Sequence, residues 1–218
     1  MNILQNKVYR NVYVNNKKGY LFLKRVIDIV GSIIGLLIFS PAIILIGIAI
    51  KIEDPKGKIL FCQERVGINN KIFTMYKFRS MVGNAEELLE HVSYLNEMDG
   101  PVFKIKDDPR ITKVGKFIRK TSLDEIPQFL NILKGDMSLV GPRPPLVSEV
   151  EQYSDYEIQR LMVKPGLTCY WQIGGRNSVD FQQWVELDLK YIEERNTFVD
   201  IKIILKTFFI LFGDENAY

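Results

Sequence analysis

The longest apolar run in the chain lies between Arg25 and Lys51, VIDIVGSIIGLLIFSPAIILIGIAI, and Asp28 is its one charge. A helix of that length reaches about 37 Å at ~1.5 Å per residue, enough for a hydrocarbon core of about 30 Å. The run starts too far into the chain for a signal peptide and has no small-residue cleavage site. Pro41 lies inside it, where it removes a helical hydrogen bond, and Ser40 can bond the carbonyl so freed. The pattern therefore predicts a kink at Ser40-Pro41. Lys17, Lys18, Lys24 and Arg25 precede the run, and Lys51, Lys56 and Lys58 follow it. A spanning helix has an asymmetric basic flank, so positive charge on both sides suits a helix that enters and leaves one leaflet. A kinked spanning helix also fits, because membrane helices tolerate proline. In the helix that enters and leaves one leaflet, Asp28 is expected near the headgroups, close enough to pair with Lys24 or Arg25.

Shorter rhythms follow. Residues 59–65 and 72–81 are rich in β-branched and aromatic side chains, with GINN between them, which predicts a β-hairpin. Residues 84–96 read as a helix. In DDPRITKVGKFIRK, Ile111, Val114 and Ile118 share one helical face and the basic residues the other, an amphipathic pattern suited to a membrane surface or to an ordinary protein surface. The stretch FVDIKIILKTFFILF near the C-terminus is helical in length and strongly apolar. On that helix Asp200 points away from Lys202 and Lys206. Either it caps the helix start, or it needs a partner, a proton or a metal.

Composition narrows the field. A chain of 218 residues supports one good core rather than two independent domains. The net charge of +3 does not indicate a nucleic-acid binder, although charge is uneven along the chain. Residues 1–25 carry six Lys or Arg and no acid, and residues 101–122 carry seven against Asp107 and Asp108. That second cluster either attracts an anionic ligand or forms a solvated helix face. Cys62 and Cys169 make no disulfide framework or metal spacing, which indicates a reducing compartment. The lone His91 offers no catalytic partnership.

The cationic cluster runs into Thr121-Ser-Leu-Asp-Glu-Ile-Pro-Gln. Ser122 and Glu125 fit a capping box, and acidic residues suit the positive end of a helix dipole. Asp124 and Glu125 equally fit a carboxylate pair that meets phosphate or metal beside free backbone N–H groups. In GDMSLVGPRPP, Pro142 and Pro144 stiffen the backbone around Arg143, a good mount for a guanidinium that grips phosphate. In LMVKPGLTCYWQIGGRN a glycine pair precedes Arg176, either a turn or a close backbone approach to a ligand.

Five pieces in order, KRVID with its apolar run and internal Ser-Pro, YKFRSM, TSLDEIPQ, SLVGPRP and KPGLTCYWQIGGRN, resemble the bacterial sugar transferases. These are the monotopic phosphoglycosyl transferases that begin membrane glycan assembly. The resemblance covers residues 22–212. It implies an α+β, mostly helical fold: a basic tail over 1–20, a re-entrant membrane helix over 21–51 and a catalytic domain over 52–218 with interfacial helices. It implies transfer of a sugar-1-phosphate from a nucleotide diphosphate-sugar, a UDP-sugar, to polyprenyl (undecaprenyl) phosphate, with Mg²⁺. By matching motifs, Asp124 is the expected nucleophile and Glu125 its neighbour, both able to hold the metal. Lys77, Arg79, Arg119, Arg143, Arg176 and Asp200 fall among the substrate-binding positions. The implied place is the cytoplasmic face of the bacterial inner membrane, with no nucleic-acid partner, and a homodimer is compatible with it. The competing reading is a non-catalytic membrane scaffold of a polysaccharide assembly complex. A second enzyme reading moves a sugar without its phosphate, and would release a nucleoside diphosphate rather than a monophosphate.

Overall fold

The computed structural model describes residues 11–97, 100–103, 105, 107–174 and 180–213. The elements run α1 (Lys18–Ile38), α2 (Ser40–Glu53), β1 (Leu60–Val66), β2 (Ile72–Phe78), α3 (Leu89–Val92), α4 (Lys113–Lys120), α5 (Gln128–Lys134), β3 (Ser138–Val140), α6 (Val147–Val150), β4 (Gly166–Thr168), α7 (Tyr170–Ile173), α8 (Phe181–Glu194) and α9 (Thr197–Gly213). The fold is mixed and mostly helical, as expected.

The apolar run forms two helices that meet at 60°. Pro41 has no N–H to give the Leu37 carbonyl, and the Ser40 hydroxyl donates to that carbonyl instead at 2.8 Å. No single helix among the described residues is long and apolar enough to cross a membrane, while the bent pair passes that test together. Leu37 and Leu45 are 69% and 67% exposed, a large apolar surface for a protein in water.

The inner face of α1 is polar. Its buried residues are Tyr20, Lys24, Asp28, Ser32 and Gly35, one helical stripe. Asp28 turns inward to the protein and is bonded by neither Lys24 nor Arg25. It is buried and accepts from the Ser138 hydroxyl at 2.9 Å and from Leu139 N–H at 2.8 Å. Arg25 donates to the Ile132 and Leu133 carbonyls at 2.6 and 2.7 Å, which closes the C-terminus of α5. Gly35 lets α1 lie against α5, since a Cβ there would stand 2.7 Å from the Phe129 ring.

The hairpin forms in the expected place, with Val66 opposite Ile72 and Leu60 opposite Phe78. Asn69 and Asn70 take left-handed φ angles of 55° and 61° in the turn, a conformation asparagine tolerates. Along β2, the buried Asn131 side chain of α5 accepts from Tyr76 N–H at 3.0 Å and donates to the Thr74 carbonyl at 2.7 Å. A side-chain amide thus covers the open edge as a third strand would.

The amphipathic helix α4 buries Ile118, with Val114 half-buried, and leaves Phe117 60% exposed. Its first N–H groups are capped from outside. The Glu53 carboxylate, last in α2, accepts from Lys113 N–H at 2.8 Å and Val114 N–H at 3.2 Å. A Cβ on Gly115 would stand 1.9 Å from the Ser80 carbonyl oxygen, so α4 packs directly on backbone.

Three features depart from the pattern-based expectation. Residues 84–96 give only the four-residue α3 and a 3₁₀ turn at Ser93–Leu95, because Val92 is the one fully buried side chain there and a longer helix would have no face to bury. A second sheet, β3 parallel to β4 with Ser138 opposite Gly166, is too short to show as a hydrophobic rhythm. The amphipathic α8, capped by Asp180 on Gln183 N–H at 2.7 Å, puts Trp184, Val185, Leu189 and Ile192 in the largest core cluster, with Ile203 of α9.

Replacing Asp28 by Ala leaves the Ser138 hydroxyl and Leu139 N–H unpaired inside the protein. It should lower stability by about 2–4 kcal/mol, against about 1 kcal/mol for Ser138→Ala. Thermal or denaturant unfolding in detergent measures the ordering of the two variants.

Candidate active site

The Asp-Glu pair stands on a 3₁₀ turn, Leu123–Glu125, between α4 and α5. The anticipated capping box does not form. Ser122 has a left-handed φ of 55° and its side chain makes no cap bond. The pair precedes the α-helix rather than opening it, because α5 begins only at Gln128 after Pro127. The reversal at Ser122, two residues after α4 ends, folds the turn back against the hairpin and frees both carboxylates for longer-range partners.

Lys77 of β2 is the first of these. Its ammonium donates to Glu125 Oε1 at 2.7 Å and stands 3.9 Å from Asp124 Oδ2. Asp124 is buried, 6% exposed, on the turn that packs against α4 and β2. That burial pushes its pKa up to about 6. The charges of Lys77 and Arg119 act against the rise and Glu125 adds to it. Arg119 is exposed at the end of α4, where it joins the site by field rather than by contact.

The other expected residues divide. Arg143 follows β3 on the proline-flanked loop, with Nη1 3.4 Å from Glu149 Oε1 and its guanidinium 5.1 Å from the Trp184 ring centre. Arg79 is engaged away from the pair: it forms an ion pair with Asp54, just beyond α2, and donates to the Asp54 carbonyl at 3.3 Å. Arg176 lies outside the described residues. Asp200 is buried in α9, and the partner it needs is a lysine. Lys24 bonds it at 3.0 Å, Tyr20 OH at 3.0 Å and Tyr191 OH at 2.8 Å. It is not the helix cap either, since Asn196 accepts from Phe198 and Val199 N–H. Lys24 also donates to the Val140 carbonyl at 2.9 Å, so this network fastens the start of the Gly141-Pro142-Arg143 loop.

One residue beyond the expected set stands beside the site. Arg65 of β1 is buried, donates to the Pro144 carbonyl at 3.1 Å and to Gln63 Oε1 at 2.6 Å, and feels the charges of Arg143, Glu149 and Glu125. Burial first, and Arg143 second, pull its pKa down to about 9. The signal for it lay in the hairpin register: Arg65 and Lys77 belong to the same face of the ribbon.

No cluster of three or more His, Cys, Asp or Glu that could hold a metal occurs among the described residues. Asp124 and Glu125 still fit Mg²⁺, which binds through one or two carboxylates and takes its remaining oxygens from phosphate and water.

A carboxylate pair set among cations, next to a helix pair with exposed apolar flanks, is an arrangement that can meet an anionic group at an apolar boundary. The chain belongs to the bacterial sugar transferase family, whose sequence model matches residues 19–214. It is 53% identical over 192 residues to "Galactosyl transferase CpsE" of Streptococcus agalactiae, covering 88% of this chain and 42% of that protein. It is 45% identical over 210 residues to "Undecaprenyl-phosphate galactose phosphotransferase" of Salmonella typhimurium, covering 93% and 43%. It is 41% identical over 204 residues to "UDP-glucose:undecaprenyl-phosphate glucose-1-phosphate transferase" of Escherichia coli, covering 90% and 41%. The chain therefore spans about two fifths of each of these relatives.

The raised pKa of Asp124 has a consequence for stability. The folded protein holds this proton more tightly than the unfolded chain does. The cost of the buried charge is thus absent below the ordinary carboxylate range and complete above pH ~6. Asp124→Asn should melt above the unsubstituted protein at pH 7–8 in chelated buffer. The gain should be up to about 3 kcal/mol, at ~1.4 kcal/mol per pKa unit, and should vanish near pH 4. A variant less stable than the parent at every pH would refute this electrostatic account.

Proposed function

We propose that this chain is a phosphoglycosyl transferase that moves a sugar-1-phosphate from a UDP-sugar to undecaprenyl phosphate, through a phosphosugar held on Asp124. The observation that carries the reading is the state of Asp124. It is almost wholly buried, yet its nearest cation is 3.9 Å away and no side-chain donor among the described residues bonds it. A structural carboxylate at that depth would be bonded; this one keeps its oxygens for a reaction. A scaffold protein gives no reason for such an arrangement.

In the proposed route Asp124 Oδ attacks the sugar-linked phosphorus. The phosphorus–oxygen bond to the second phosphate breaks, and a nucleoside monophosphate leaves with that electron pair. An oxygen of the lipid phosphate then attacks the same phosphorus and restores the Asp124 carboxylate. Lys77 holds Glu125 in place and favours the ionised form of Asp124, which the attack requires. Arg119, Arg143 and Arg176 supply positive charge for the phosphoryl oxygens. Asp200 acts at a distance, by holding Lys24 and through it the loop that carries Arg143. Mg²⁺, held by Asp124 and Glu125 when bound, would neutralise charge on the diphosphate.

The lipid acceptor requires the site to sit at a membrane. The exposed apolar flanks of α1 and α2, their basic ends and the 60° bend support a re-entrant hairpin with both ends on the cytoplasmic face of the inner membrane. Single cysteines at positions 18 and 56, in a chain without Cys62 and Cys169, should both resist an impermeant thiol reagent added outside intact cells. Labelling at one position alone would mean a spanning helix.

The chemistry has its own test. Enzyme given UDP-sugar and Mg²⁺ without lipid should release up to one UMP per active site and stop, and its intact mass should rise by one sugar phosphate. Asp124→Asn should show neither signal. An active preparation with no burst and no adduct would indicate direct transfer instead.

A further inference from the structure

Arg65 is difficult to explain as scaffold. Its partners, the Pro144 carbonyl and the Gln63 amide oxygen, are both neutral, and its Nε is buried with no hydrogen-bond partner among the described residues. No carboxylate among the described residues lies within ion-pair distance of its guanidinium. A buried cation normally has a counter-ion, or the position is taken by a neutral residue. Arg65 instead has a second guanidinium, Arg143, as a close electrostatic neighbour. The carboxylate available to both is Glu149, which is shared. Its contact with Arg143 is loose at 3.4 Å, and its Oε2 also accepts from Leu146 N–H at 3.1 Å. The two guanidinium groups thus share Glu149 as their near carboxylate, while Glu125, whose charge Arg65 also feels, is bonded by Lys77.

The two arginines are also mechanically joined. Arg143 lies between Pro142 and Pro144, and Arg65 holds the carbonyl of Pro144 itself. On the ribbon, Arg65 and Lys77 share a face, with Lys77 paired to Phe61, four residues from Arg65. That separation is about 14 Å at ~3.4 Å per residue, a distance two long side chains can close to the length of a diphosphate. Lys77 marks the end where Asp124 attacks, and Arg65 with Arg143 marks the other.

We infer that Arg65 and Arg143 form one guanidinium cradle for the phosphate that leaves as the nucleoside monophosphate. The inference rests on the reaction proposed above. When the bridging phosphorus–oxygen bond breaks, its electron pair stays on the bridging oxygen and the departing phosphate becomes a dianion. The cradle meets that added charge with two fixed cations, so no proton is needed. The same contacts hold the second phosphate of the donor before the bond breaks.

The test uses the full chain in detergent, with UMP as the probe. Arg65→Lys keeps the charge and loses the planar fork. It should raise the inhibition constant of UMP against UDP-sugar at least tenfold, and leave kcat/KM for undecaprenyl phosphate within twofold. Arg143→Lys should behave alike, and the double variant should lose less than the product of the two single losses. Should Arg65→Lys fail to fold, Arg143→Gln replaces it, because that half-buried side chain makes no backbone bond. UMP should raise the melting temperature of the parent protein and not that of Arg143→Gln. An Arg65→Lys enzyme with an unchanged UMP constant overturns the cradle, as does equal UMP protection in parent and Arg143→Gln. A parent protein that releases no monophosphate from any nucleotide-sugar would instead overturn the reaction reading itself.

Discussion

The structure hangs on a buried charge pair, Lys24 with Asp200, 176 residues apart in the chain. Each partner is fully engaged: Lys24 by Asp200, the Val140 carbonyl and Tyr191 OH, Asp200 by Lys24 and two tyrosine hydroxyls. An ion pair that deep gains little net energy over apolar packing, but removing one partner leaves a charge with nowhere to go. Its value lies in selecting one arrangement. The apolar-flanked helix α1, the helices α8 and α9 and the end of β3 can meet in only one register if these groups are to be satisfied. The Arg143 loop begins at the next residue after Val140, so its position follows from that selection.

This explains why α1 is built inside out relative to a helix in a water-soluble protein. Its apolar side chains face outward and its polar stripe, Tyr20, Lys24, Asp28 and Ser32, faces the protein. Asp28 bonds β3 from the same stripe. Interactions that would be weak at a water-exposed surface are stronger here because both partners of each bond are buried in the protein. The apolar core clusters fill the space around these contacts rather than choosing them.

Much of this was legible in the sequence where the cause was local. Pro41 after Ser40 fixed the break in the apolar run, the asparagines after Gly67 fixed the hairpin, and Val114 and Ile118 fixed the inner face of α4, while Ile111, expected on that face, precedes the helix and bridges to Met81. Asp200 was legible as a group in need, because nothing on its own helix could satisfy it. Its partner was not, since helix periodicity says which side a residue faces and not what stands opposite. The Ser122 capping box failed for a related reason. A four-residue pattern is a local preference, and the left-handed turn that sends Glu125 to Lys77 is set by the hairpin it packs against. Arg65 read as an ordinary strand residue until Arg143, far away in sequence, was beside it. The three-residue strands β3 and β4 are defined by pairing alone, which no periodicity records.

Glu53 joins two parts of the molecule usually thought of separately. The last residue of the apolar helix pair is also the cap of α4, and α4 ends four residues before Asp124. On the membrane reading, the helix that sets how deeply the protein sits in lipid is bolted to the helix that presents the reactive carboxylate. The gap between hydrocarbon and carboxylate is then a protein dimension, one carboxylate cap and two turns of helix. It would be the same in a thick bilayer or a thin one, so the height at which a lipid phosphate must arrive is written into the chain.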